Sequence, residues 1–325
     1  MAEAGKIHSG TEETALVVST YNWPEALAAV LRSVVGQRTP PTELIIADDG
    51  SDARTAAAVE SVLRGSRLNW CHVRQHDAGF RQARARNLGV RWSRSPRLIF
   101  IDHDTILHPD FVGDHLRLSS EGSFLQGKRV FLPEAISRRI LEDPASAPNR
   151  FSPWLRGLEN RKNAVRCVAL GRLFAWRRRF QTALRGCNIS VGRDDFLAVD
   201  GYDETFDGVW GREDSDFCYR LFHRGVTCRN LWFAGLQFHL HHPSVKRRKR
   251  DHLDEELDRV RVERRVRALR GFCRMDQEGE IVNAGGVGGW SETTLTAAGC
   301  RPAAAVVSDP APLDPPCGKA TRPGC

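Results

Sequence analysis

Between residues 15 and 102 short apolar runs alternate with helical patterns, and that alternation constrains the fold more than any other feature of the chain. "ALVVS" (15–19) reads as a strand. "PEALAAVLRSVV" follows, with Leu27, Val30, Leu31 and Val34 at i, i+3, i+4 and i+7, the stripe of an amphipathic helix; Pro24 suits its first turn. "ELIIADD" (43–49), "LNWCHVRQ" (68–75) and "LIFID" (98–102) repeat the strand pattern. Between them lie two further helical patterns, "RTAAAVESVLRG", stopped by Gly65, and "RQARARNLGVRWS". Such alternation predicts an α/β fold built on a parallel sheet. Ligands of such sheets bind beyond the carboxyl ends of the strands. "ADDGSD" and "DHD" fall at those ends.

The later chain changes character. Residues 133–185 are basic, aromatic, helical in pattern and broken by prolines. Residues 186–225 return to loops and short elements, closing in "EDSDFCYRLFHRG", a helix with acids in its first turn and a glycine stop. "TCRNLWFAGLQFHLHHP" reads as a strand and a loop, and residues 246–272 as a charged helix. From about residue 278, Gly, Ala, Pro and Thr dominate and periodicity disappears, which predicts a disordered tail.

No stretch is apolar over a bilayer's thickness, and "MAEAGKIHSGTEET" has no apolar signal core, so neither a membrane span nor export is expected. None of the nine cysteines forms a C-x-x-C pair, which argues against a zinc cage and suits free thiols in a reducing cytoplasm. A net charge of +8 favours an anionic partner: a nucleotide, a nucleic acid or an acidic membrane surface.

Four polar constellations stand out. In "LIFIDHD", Asp102 and Asp104 lie at i and i+2 of an extended segment and point the same way, so both can face one cation. Carboxylate oxygens suit Mg2+ or Mn2+, particularly beside a diphosphate; the plainer alternative is a strand-end turn. In "LIIADDGSD", Asp48 and Asp49 end a strand, either as turn formers or as acceptors for a base or ribose. In "VWGREDSDF", Glu213 and Asp214 enter a helix, as a general base or as complements to the helix dipole. In "FHLHHP", His239, His241 and His242 follow an apolar strand as metal ligands or as a surface cluster.

The order of these features resembles that of the family 2 glycosyltransferases. "VVSTYNWPEALAAVLRSVVGQ", "ELIIADDGSD", "GFRQARARNLGV", "LIFIDHD", "GCNISVGRDDFLAVDGYDE", "WGREDSDF" and "HLHHP" occur in the family's sequence over residues 14–243, and the later ones resemble the galactosyl- and N-acetylgalactosaminyltransferase-like branch. The resemblance implies a Rossmann-like GT-A fold: a mostly parallel sheet flanked by helices, with added basic helices and the disordered tail. Together with the composition and patterning outside residues 14–243, it divides the chain into a flexible N-terminus (1–13), a nucleotide-sugar-binding half (14–132), a basic helical insertion (133–185), an acceptor and catalytic half (186–243), a charged helix (244–277) and the tail (278–325). It implies an inverting transferase that uses Mn2+ or Mg2+ and a nucleotide-sugar donor, a UDP-hexose or UDP-N-acetylhexosamine, with a glycan or lipid-linked acceptor in bacterial surface polysaccharide assembly.

By the same resemblance Ser19, Thr20 and Tyr21 border the nucleotide, Asp48 or Asp49 contacts uracil or ribose, and Arg86 and Asn87 line the donor site. Asp102 lies near the ribose with His103 beside it, and Asp104 binds the metal. His242 completes the metal shell, with His239 as its rival. Gly186, Asn188, Trp210, Gly211 and the "DGYDE" turn shape the acceptor side. Asp214 is the base, and Glu213 holds the acceptor. Two departures are visible: His103 inside the D-x-D is a competing ligand, and Ser19-Thr20 replaces a proline often found before the Tyr-Asn pair.

"RLFAWRRRF" (172–180) interleaves aromatics with arginines, a pattern for peripheral contact with an anionic membrane at the cytoplasmic face, or else for a solvated helix face; "KRRKR" (246–250) serves the same surface or leads into the charged helix. Rival readings are a metal-dependent nucleotidyltransferase and a catalytically inactive nucleotide- or nucleic-acid-binding protein. Nucleic acid is disfavoured, because no recognised binding module is present and the acids gather at strand ends, where they repel phosphate.

Overall fold

In the computed structural model, which describes residues 12–146, 155–182, 184–243, 252–275 and 279–286, each of the early apolar runs is a strand with both faces covered. β1 (Thr14–Thr20), β2 (Glu43–Asp48), β3 (Trp70–Arg74) and β4 (Arg97–Asp102) are parallel neighbours in the order β3-β2-β1-β4. Alternate residues sort to opposite faces. Ala15 and Val17 join Ala83 and Leu88, whereas Leu16 and Val18 join Leu27, Val30 and Leu31. Helices α1 (Pro24–Val35) and α2 (Ala53–Leu63) therefore cover one face and α3 (Gln82–Arg91) the other. A Cβ on Gly89 would lie 2.7 Å from Val17 Cγ1, so the α3 backbone rests directly on the sheet.

The chain continues through β5 (Thr105–Leu107), α4 (Phe111–Leu118), β6 (Ser123–Gln126), β7 (Val130–Phe131), α5 (Glu134–Glu142), α6 (Val168–Phe174) and β8 (Arg177–Arg178). Next come β9 (Asn188–Gly192), α7 (Arg193–Ala198), α8 (Glu213–His223), β10 (Thr227–Asn230), β11 (Gln237–His239), α9 (His252–Val262) and β12 (Glu280–Gly285). The main sheet runs β12-β3-β2-β1-β4-β9-β6-β10-β8. β1 to β4, β6 and β10 point one way and β8, β9 and β12 the other, so the sheet is mostly parallel, as expected. A small second sheet, β5-β11-β7, stands over the carboxyl ends.

Three expectations change. The tail is not unstructured from residue 278, because β12 pairs antiparallel with β3 and closes that edge of the sheet; residues 287–325 lie outside the described residues. The basic insertion is helical only in part: α6 ends at Phe174, and Arg177–Arg178 pair with β10 at the opposite edge. The charged helix ends at Val262, ten residues short of its pattern, and residues 244–251, with "KRRKR", lie outside the described residues. Cys71, Cys167, Cys187, Cys218 and Cys228 are free thiols.

Asn188 shows how the second half is tied together. Its Nδ2 donates to the carbonyls of Lys128 and Gly235, both at 3.0 Å, and its Oδ1 lies 3.0 Å from His115 Nε2. A Cβ on Gly127 would come within 2.0 Å of its amide carbon. Asn188→Ala leaves these buried groups without partners and is expected to cost about 2–4 kcal/mol of stability in chemical denaturation. A loss below 1 kcal/mol would sink this structural role.

Candidate active site

The register of the parallel strands assembles one wall of a cleft. Ser19 sits opposite Asp102, and Thr20 opposite Asp48, at the carboxyl ends. Ser19, Thr20, Tyr21, Asp49, Phe80, Gln82, Asp102, His103, Asp104 and Trp210 line that cleft. Asp48 does not face it. Its carboxylate accepts the Ser51 N–H at 2.8 Å and meets the buried His72 Nε2 at 2.7 Å, so it holds the turn, and Asp49 is the acid on the cleft. Asp49 accepts the Arg81 N–H at 2.7 Å and a bond from Gln75, and burial pushes its carboxyl up to about 6.

Asn87 also turns away from the cleft. Its amide exchanges two hydrogen bonds of 2.9 Å with the backbone of Tyr202, pinning the "DGYDE" turn to α3. Asp203 of that turn accepts N–H bonds from Leu269 and Arg270, so the turn is held for structural reasons. Arg86 does reach the site. Fully buried under Tyr202, it donates to Asp102 Oδ1 at 3.0 Å and to Glu213 Oε1 at 3.4 Å, joining the carboxyl end of β4 to the acids of α8. Gly186 permits this, since a Cβ there would lie 2.7 Å from the Arg86 guanidinium.

The small sheet builds a candidate metal centre. β11 pairs with β5 so that His239 faces Thr105, and the Leu240 N–H donates to the Asp104 carbonyl at 2.9 Å. Asp104 Oδ2 then lies 3.3 Å from His239 Nε2 and 3.4 Å from His242 Nε2. The three ligand atoms fall within 4.8 Å of one another, the one such group among the described residues. His239 Nδ1 lies 2.7 Å from the Leu240 carbonyl and His242 Nδ1 3.2 Å from the Pro243 carbonyl. A proton on each Nδ1 leaves both Nε2 lone pairs free, as metal-binding imidazoles require. Asp104 Oδ1 is buried with no partner. Despite burial, the neighbouring histidines hold the Asp104 carboxyl down at about 2. The donor set fits a divalent cation, and both histidines, not one of the pair, converge on it. His103 stays outside the group, because its Nδ1 accepts the Tyr21 N–H at 3.2 Å.

At the other end, Gly211 (φ 105°) and Arg212 (φ 83°) adopt left-handed conformations that swing the chain into α8 and place Glu213 and Asp214 in its first turn. Asp214 Oδ2 accepts the Gly186 N–H at 2.9 Å and Oδ1 the Ser215 N–H at 2.6 Å, and its carboxylate lines a cleft with Trp210, Gly211, Arg185 and Cys187. Glu213 is buried, with Oε2 unpartnered; burial first, then the Asp214 charge, raises it to about 7. Folding thus favours protonated Glu213, a contribution present below its ordinary value of 4.5 and lost as pH rises through 7. Glu213→Gln is therefore expected to gain thermal stability relative to the parent as pH rises from about 5 to about 7.5. A difference that stays constant with pH would contradict this.

Asp102, Arg129 and Trp210 are common to the acid cleft and the cleft at the histidines. Arg129 and Gln82, which donates to Asp102 Oδ1 at 3.0 Å, carry no local sequence signal and become visible only through the fold.

The model for glycosyl transferase family 2 matches residues 15–177, and that for the N-terminal domain of galactosyltransferase matches residues 172–243. The chain belongs to glycosyl transferase family 2. It is 30% identical over 236 residues to a validoxylamine A glucosyltransferase of Streptomyces hygroscopicus subsp. limoneus, covering 67% of this chain and 50% of that protein. It is 26% identical to a chondroitin synthase of Escherichia coli, covering 66% of this chain and 33% of the synthase. The chain thus spans half or less of these relatives. The crystal structure of S. aureus TarS 1-349 in complex with UDP-GlcNAc superposes with a TM-score of 0.53 at 14% identity, over 78% of this chain and 66% of that one, which supports the GT-A fold.

Proposed function

We propose that the chain transfers a hexosyl or N-acetylhexosaminyl group from a UDP-sugar to a hydroxyl of a glycan or lipid-linked acceptor, with inversion, in bacterial surface polysaccharide assembly at the cytoplasmic side of the membrane. The observation that carries this reading is a pair of clefts that share Asp102, Arg129 and Trp210, one holding a three-ligand candidate cation centre and the other the Glu213–Asp214 pair. Asp104, His239 and His242 would hold Mn2+ or Mg2+. When bound, the ion supplies positive charge to the leaving diphosphate.

The protein's own groups do the rest. Asp214 takes the proton of the acceptor hydroxyl, whose oxygen attacks the anomeric carbon while the bond to the diphosphate oxygen breaks. One base opposite one leaving group gives inversion, and no carboxylate nucleophile is required. Arg86 holds Asp102 and Glu213 in place, and Arg129 adds a fixed positive charge between the two clefts. Asp49, with Ser19 to Tyr21, borders the nucleoside. The division of the chain into donor and acceptor halves at residues 14–132 and 186–243 belongs to the same reading.

Thermal denaturation with UDP, GDP, dTDP and CMP in the presence of Mn2+ tests it. UDP alone is expected to stabilise, by about 2.7 kcal/mol at a hundredfold excess over its Kd. Stabilisation by none of the four would overturn the reading.

A further inference from the structure

A second surface carries features that sugar transfer does not use. From Asn160 to Gln181 the chain holds seven Arg or Lys residues and no Asp or Glu. Within this stretch Leu173 is 63% and Trp176 62% exposed, with Leu170 and Phe174 also on the surface. Scattered exposed apolar side chains are ordinary, but here they alternate with the exposed Arg172, Arg177, Arg178 and Arg179. Among the described residues none of these four arginines has an acid within ion-pair distance. Arg177 donates to the Glu121 carbonyl at 3.1 Å, whereas Arg166, nearby in sequence, is neutralised by Asp110 and Asp114.

A cavity adjoins this surface. α6 packs on the loop after β10: the Cys167 N–H donates to the Phe233 carbonyl at 2.9 Å, and the Phe174 and Phe233 rings lie 5.9 Å apart. Gly171 allows the approach, since a Cβ there would lie 2.9 Å from the Trp232 carbonyl oxygen. The same loop forms a pocket with Lys128, Lys162 and Asn163, and among the described residues no acid lines it. Lys128 Nζ lies 4.7 Å from the centre of the Trp232 ring. The pocket thus has cationic walls and an apolar floor, a setting for a phosphate attached to an apolar body. Lys128 looks into this pocket, and its neighbour Arg129 into the catalytic clefts.

We propose that this face docks on an anionic lipid bilayer: Leu170, Leu173, Phe174 and Trp176 enter the headgroup layer, the arginines meet lipid phosphates, and the Lys128–Lys162 pocket receives one of them. The charge is complementary to anionic headgroups, and the aliphatic side chains decide the partner. A nucleic acid would use the arginines, but Leu170 and Leu173 offer it neither stacking nor a hydrogen bond. The inference goes beyond the proposed reaction and does not depend on it.

The test is co-sedimentation of the full chain with vesicles of phosphatidylcholine, with and without phosphatidylglycerol. Binding is expected only to the anionic vesicles, weakening as salt rises, and inorganic phosphate at equal concentration is not expected to release it. The double variant Leu173→Ser, Trp176→Ser is expected to bind about tenfold more weakly. Lys128→Gln is expected to weaken binding as well, and both variants to keep UDP-stimulated thermal stabilisation. Asp214→Asn is expected to sediment like the parent, so docking and catalysis are read separately. Absence of vesicle binding, equal binding to neutral vesicles, an unaffected double variant, or release by free phosphate would each overturn the proposal. So would tighter binding to an RNA or DNA duplex than to anionic vesicles.

Discussion

Asp214→Asn is expected to lower the rate of glycosyl transfer by about 10²–10⁴-fold while nucleotide binding persists. The carboxylate is oriented by two backbone donors, the Gly186 N–H on Oδ2 and the Ser215 N–H on Oδ1. Those bonds leave lone pairs free for an acceptor hydroxyl. Asparagine keeps one accepting oxygen, loses the basicity, and turns an NH2 toward one of the two backbone donors. A modest loss of stability should accompany the loss of rate, and a UDP thermal shift in the variant separates the two effects. Undiminished transfer would remove Asp214 from the role of base and leave Glu213 as the acid to examine.

Asp104→Ala is expected to abolish stabilisation by Mn2+ and to reduce donor cleavage to the level seen with EDTA. The argument rests on convergence. Among the described residues Asp104 is the one carboxylate within reach of both His239 Nε2 and His242 Nε2, and its second oxygen is buried without a partner. Because its carboxyl is held down at about 2, the group stays ionised throughout the neutral range, and its contribution to stability is lost only in strong acid. His239→Ala and His242→Ala are each expected to weaken the Mn2+ effect, since both imidazoles present Nε2 to the same point. Full Mn2+ stabilisation in the Asp104 variant would place the cation elsewhere.

These roles were legible in the sequence to different depths. The apolar runs from Leu16 to Ile101 announced the parallel strands, because residues buried on both faces leave no polar alternation. Asp104, Glu213 and Asp214 stood out as acids where an element starts or ends, but position alone also fits a turn or a helix-dipole complement, and the roles proposed for them came from the resemblance to the family. Asp48 and Asp49 show the limit. They are adjacent acids in one motif, and the buried His72 on β3 decides that Asp48 serves the turn and Asp49 the cleft. Asn87 and Asn188 sit inside motifs of the family, yet both spend their amides on backbone partners far along the chain. β12 could not be read, because its pairing with β3 joins segments some two hundred residues apart and "EIVNAG" has no strong pattern of its own.

The most direct measurement is acceptor-free cleavage of the donor. Purified protein with Mn2+ is offered UDP-, GDP-, dTDP- and CMP-sugars, and release of free nucleotide is followed. The account predicts slow release of UDP from one UDP-sugar, abolished by EDTA and absent in Asp104→Ala. Release that is insensitive to EDTA, or release of pyrophosphate instead of a nucleoside diphosphate, would contradict it.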